Sequence, residues 1–141
     1  MADKRFEYRL QVRWSDSDRL GHVNNTRFVE YLQEARANFI TQCLLEAEGA
    51  RGATVVRKLT IDFLRPLFDD SGPLAIEISI SSIGRTSFGV RHAVRDTHGA
   101  LCAEATAVMV AFDLDTQHAR PLIDREKAVL ADYVHTALDT E

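Results

Sequence analysis

The sequence predicts an α+β fold: a long helix wrapped by an antiparallel sheet of about five strands, followed by a short C-terminal helix. Three observations predict it. Five segments read as strands, most with the two-residue alternation of a half-buried sheet. One segment, Phe28 to Cys43, repeats apolar residues at the three- and four-residue spacing of a helix. The links between the later strands are short, which suits an antiparallel meander.

The first strand runs from Phe6 to Trp14, with Phe6, Tyr8, Leu10, Val12 and Trp14 on one face and Glu7, Arg9, Gln11 and Arg13 on the other. A polar stretch, Ser15 to Asn25, leads into the helix. Phe28, Leu32, Ala35, Phe39 and Cys43 form its apolar stripe, and Glu30, Gln33, Glu34 and Arg36 its opposite, polar stripe. Residues Glu48 to Gly52 form a polar, glycine-bearing break. Val55 to Arg65 then places Leu59, Ile61 and Phe63 on one strand face, and Leu74 to Ser82 alternates from Leu74 through Ile80. Ser87 to Asp96 sets Phe88, Val90 and Val94 against Arg91 and Arg95. The stretch RDTHGA reads as a hairpin connection. Leu101 to Phe112 is apolar on both faces, as expected of a central strand that also meets another subunit. Ile123 to Leu138 reads as the final helix. Pro66, Pro73 and Pro121 each punctuate an element boundary.

The 141 residues fit one domain, 1–141, long enough to bury roughly two-thirds of the unfolded surface. A hydrophobic content of 45% is globular, and a net charge of −4 argues against a nucleic-acid coat. Cys43 and Cys102 lie outside any Cys-x-x-Cys pair and read as buried thiols in a reducing compartment. No apolar run approaches the roughly 20 residues of a membrane span, and MADKRFEYRL lacks the apolar segment of a signal peptide. The expectation is a cytoplasmic protein with no membrane and no nucleic-acid partner.

The stretch WSDSDRLGHVNNTRF, Trp14 to Phe28, carries the chemistry. Gly21 permits a left-handed turn where the loop meets the helix. Asn24 and Asn25 are favoured N-cap residues. A helix start offers free N–H groups and a positive dipole end, which can hold negative charge developing on an oxygen. Asp18, a few residues earlier, could attack a carbonyl carbon or activate a water that does. The same residue types also make an ordinary loop and cap, and His22 on a loop is ambiguous between structure and catalysis. Asp16 and Asp18 have no second cluster of ligands at metal spacing, so no metal is expected.

The order of these parts resembles hotdog-fold thioesterases of the 4-hydroxybenzoyl-CoA thioesterase-like group. The match lies in an aromatic-ended strand, Asp-Ser-Asp, Gly-His-Val-Asn-Asn, an aromatic residue and EAR on the helix. It looks closest to the acyl-CoA thioesterase branch with a GHVNN signature. IDFLRPLFDDSGPLAIEISISSIGRTSFGV is similar to that family's later strands, and the resemblance covers about residues 5 to 115. It implies the hotdog fold and a homo-oligomer, dimer or tetramer, with active sites between subunits. It places the catalytic carboxylate on Asp18 and the oxyanion-binding amide near Asn25, leaving Asp16 a loop residue. Leu20 stands where the acyl-ACP branch has asparagine, and Gln33 where several relatives have glutamate.

The resemblance implies hydrolysis of a fatty or aromatic acyl-CoA to free acid and CoA, with no cofactor. Asp18, His22 and Asn25 are the expected catalytic residues. Gly21 and Asn24 would flank the substrate, and Arg57, Lys58, Arg85 and Arg91 are candidates for the nucleotide phosphates. Three other functions stay open: an acyl-ACP thioesterase, a hotdog dehydratase or hydratase, and a non-catalytic acyl-CoA-binding module. Phe28, Tyr31, Leu32, Phe63 and Phe88 could line an acyl tunnel, but helical spacing makes core the better reading for most.

Overall fold

A computed structural model describes residues 4–45 and 53–135. In chain order it contains β1 (Phe6–Leu10), a 3-10 turn (Trp14–Asp16), α1 (Asn25–Phe39), a π-helical stretch (Ile40–Leu45), β2 (Ala53–Phe63) and β3 (Leu74–Ile83). There follow β4 (Ser87–Arg95), β5 (Leu101–Asp113), the two-residue β6 (His118–Ala119) and α2 (Asp124–Ala131). The long strands form one antiparallel sheet in the order β1-β3-β4-β5-β2. The expected hotdog architecture is present, with α1 as its inner layer.

The period-2 pattern decides which faces meet α1. Leu74, Ile76, Ile78 and Ile80 of β3 are all 1% exposed or less, and Phe88, Val90 and Val94 of β4 continue that inner face. Phe28, Leu32, Ala35 and Phe39 of α1 join the same cluster. Phe6 of β1 meets Phe39 edge to face, with centroids 5.4 Å apart. The hairpin at RDTHGA forms as its sequence suggests: Gly99 has φ +87°, and Asp96 Oδ1 accepts the amides of His98 and Ala100.

Four expectations are corrected. The first strand stops at Leu10, not Trp14. Leu10 pairs with Leu74, the first residue of β3, so no ladder partner lies beyond it. Val12 stays buried while Trp14 is 81% exposed. The meander holds for β3-β4-β5 only. β1 occupies the other edge of β3, so β2 pairs instead with β5 at the far edge of the sheet. Arg36 lies not on the polar stripe but in the core, 5% exposed, because it follows Leu32 by one turn and precedes Phe39 by three residues. The final helix, expected from Ile123, spans Asp124–Ala131 and ends in a turn at Asp132, while residues 136–138 of that segment lie outside the described residues. The break at Glu48 to Gly52 also lies outside them.

Candidate active site

The loop between β1 and α1 is built from its own polar groups. Gly21 has φ +83°, a left-handed backbone that glycine adopts without strain. The Asp18 amide donates to the His22 carbonyl (2.7 Å), and the Gly21 amide donates to the Asp18 carbonyl (3.0 Å). The far end of the loop is tied down by Val23, which is buried and donates its amide to Leu67 (2.7 Å). Asn24 caps α1: its Oδ1 accepts the Thr26 amide at 2.8 Å.

Asp18 is exposed at the mouth of this loop. Its Oδ1 accepts the amides of Leu20 (2.9 Å) and His22 (3.4 Å). Among the described residues nothing donates to Oδ2, so one carboxylate oxygen orients the group and the other has no protein donor. The amide of Asn25, first residue of α1, likewise has no acceptor among the described residues. The Thr26 amide goes to the Asn24 side chain and those of Arg27 and Phe28 to its carbonyl. Asn25 thus presents the unpaired N–H at the positive end of the α1 dipole.

Asp18, His22, Asn24 and Asn25 line one cleft of about 430 Å³. Its opposite wall is the end of β2 and the chain just after it: Phe63, Leu64 and Arg65. Phe63 is held edge-on against Phe28 at 5.3 Å, and the His22 ring edge-on against Phe68 at 5.1 Å. Leu20, Phe63 and Leu64 give the cleft an exposed apolar rim, with exposures of 77%, 45% and 50%.

The structure therefore brings Asp18, His22, Asn24 and Asn25 together, with Gly21 in the adjoining trough beside Asp18. It does not bring Arg57, Lys58 or Arg85 to this cleft. The first two are exposed in the middle of β2, and Arg85 lies in the turn between β3 and β4. Arg91 pairs with Glu104 at 3.8 Å on the outer side of the sheet. The cation at the cleft is Arg65, which the sequence reading took only as the last residue of a strand, whereas β2 ends at Phe63 and Arg65 lies in the chain just after it. Tyr31, Leu32 and Phe88 are core, Phe28 is buried but also lines the cleft, and Phe63 lines it as an exposed ring.

Asp16 has a larger part than a loop position suggests. It is 8% exposed, accepts the Arg13 amide and the Tyr31 hydroxyl on Oδ2, and stands 3.7 Å from Arg27 Nε. Its carbonyl accepts the Asn24 amide at 3.0 Å. Burial, the hydrogen bond to Asp16 and that carboxylate's charge all push the Tyr31 phenol up, so it remains a donor at any working pH. Among the described residues, no group of three or more His, Cys, Asp or Glu could hold a metal ion.

The thioesterase-like superfamily matches residues 12–132. The chain belongs to that superfamily. This thioesterase-like chain is 30% identical over 114 residues to the Escherichia coli acyl-CoA thioester hydrolase YbgC, covering 77% of this chain and 82% of that one. A Thermus thermophilus thioesterase solved with coenzyme A and zinc is 29% identical, with a TM-score of 0.73 over 88% of this chain and 95% of that one. A thioesterase-superfamily protein from Jannaschia sp. superposes with a TM-score of 0.85 over 95% and 96% of the two chains. At 18% identity it speaks for the fold alone. Among the described residues no helix is long and apolar enough to cross a membrane.

Proposed function

We propose that this chain hydrolyses an acyl-CoA thioester to free acid and CoA at the Asp18 cleft. One observation carries the reading: a carboxylate oxygen of Asp18 and the amide of Asn25, both without protein partners among the described residues, line the same apolar-rimmed cleft. The substrate carbonyl oxygen points at the Asn25 N–H. The helix dipole stabilises the negative charge that develops there as the carbonyl carbon becomes tetrahedral. Asp18 Oδ2 takes a proton from water, which attacks that carbon, or attacks it directly to give a mixed anhydride that water then opens. The carbon–sulfur bond breaks and the thiolate leaves. His22 lies on the same wall to return a proton to the sulfur, although a thiol with a pKa near 8.5 leaves readily without one. Arg65 at the cleft edge suits the phosphates of the nucleotide.

YbgC by its name, and the Thermus thermophilus thioesterase by its bound coenzyme A, support CoA as the carrier. The assembly that fits is a homodimer. β2 has one edge on β5 and no strand on the other among the described residues, and Val55 and Val56 are 41% and 44% exposed. Such an edge pairs readily with a second copy. The test is release of free thiol from a panel of acyl-CoA esters, short, long and aromatic. A kcat/KM above about 10⁴ M⁻¹s⁻¹ on one of them supports the reading. Thiol release from none of them overturns it.

A further inference from the structure

A second cleft, of about 420 Å³, lies between the C-terminal half of α1 and the start of β2. Arg36, 5% exposed, lines it together with Gln33, Thr41, Thr54, Val56 and Met109. A guanidinium only donates, so its contact with His92 Nε2 at 3.3 Å makes that nitrogen the acceptor. His92 Nδ1 then carries the proton and donates to the Ala105 carbonyl at 3.3 Å. His92 is neutral, and burial with the nearby Arg36 charge pulls it down to about 4. Its ring therefore orients Arg36 without neutralising it. Among the described residues no carboxylate pairs with this cation. A buried charge without a counter-ion is costly, and a leucine or methionine would fill the space more cheaply. The cost is offset if the cleft receives an anion.

We propose that Arg36 is the receptor for a carboxylate at the far end of the acyl group, and that it serves the Asp18 cleft of a second copy of this chain. The proposal rests on the thioesterase reading above. Within one copy, Asn25 and Arg36 are eleven residues apart on α1, about 17 Å along its axis, which puts the two clefts at opposite halves of the helix. Two-fold pairing of β2 edges runs the strands antiparallel. The Phe63 end of one β2 then lies toward the Thr54 end of the other. Phe63 lines the Asp18 cleft and Thr54 the Arg36 cleft, so each site draws on both copies. Val56 and Met109 suit the methylenes of a short chain. The planar guanidinium suits a carboxylate gripped by two parallel N–H bonds. The substrate class is thus a dicarboxylic acyl-CoA.

Glutaryl-CoA and pentanoyl-CoA test this, since they differ only in a terminal carboxylate against a methyl. Wild type is expected to favour glutaryl-CoA at least about tenfold in kcat/KM, and Arg36→Met to lower that ratio about a hundredfold. Co-expression of Asp18→Asn with Arg36→Met reads the shared site. Mixed dimers carry one intact site if Arg36 serves the other copy, restoring about a quarter of the wild-type glutaryl-CoA rate, and none if it serves its own. A wild type that takes pentanoyl-CoA at least as well overturns the proposal, whether or not the variant folds. So does an unchanged ratio in Arg36→Met, or no restoration in the mixture. Hydrolysis of neither ester, nor of any other, would instead remove the thioesterase reading and this proposal with it.

Discussion

The Tyr31 hydroxyl, in the second turn of α1, donates to Oδ2 of Asp16, in the 3-10 turn at the base of the loop that carries Asp18. This bond locks the loop to the helix whose first amide faces the cleft. Asp16 also accepts the Asn24 amide on its carbonyl, so one residue sets the spacing between Asp18 and the start of α1.

Tyr31→Phe keeps the ring and removes only the hydroxyl. It is expected to lower stability by about 1–3 kcal/mol, because a buried carboxylate oxygen loses a donor. It should also lower kcat several-fold with little change in KM, since the loop then holds Asp18 less well. Urea unfolding and steady-state kinetics check the two parts.

Gly21→Ala tests the turn itself. An added Cβ meets nothing within 4 Å, so any effect comes from the backbone at φ +83° and not from a clash. The expected cost is about 1–2 kcal/mol. Strain of that kind relaxes through the loop that carries Asp18, so kcat should fall more than thermal stability suggests.

His92 makes stability depend on pH. Its native value of about 4 lies below the 6.5 of the unfolded chain, so between those values the unfolded state binds a proton that the folded state does not. Its contribution is complete above pH 6.5 and is lost as pH falls toward 4. From pH 7 to 4 wild type should lose about 3 kcal/mol more than His92→Gln, measured by urea unfolding at each pH.

His22→Ala separates a helper from a catalyst. The thiolate leaves readily, so a drop in kcat of about tenfold or less is expected on acyl-CoA. A loss as deep as that from altering Asp18 would give His22 a principal role instead. Rates of thiol release at pH 7 distinguish the two.

Local chemistry was the part most legible in the sequence. The loop and cap form from residues within a few positions of each other, so Gly21, Asn24 and the Asp18 turn could be read directly. The alternation of Leu74 to Ile80 was equally legible because one face is wholly buried. Trp14 was not, because a strand ends where its partner ends, and β3 begins at Leu74. Arg36 was misread because charge suggested the polar stripe, while helical geometry put it beside Phe39 and Leu32. Arg65 reads as the end of a strand pattern, and only the tertiary packing of Phe63 on Phe28 brings the end of β2 to the helix start.

Asp18→Asn is the most direct test of the central claim. Asparagine retains an Oδ1 that can accept the Leu20 and His22 amides, so the loop should keep its shape. What it lacks is the carboxylate. The expected result is an unchanged melting temperature and a loss of at least about 10³-fold in kcat for thiol release from the best acyl-CoA substrate. A folded Asp18→Asn protein with wild-type kcat would contradict the account.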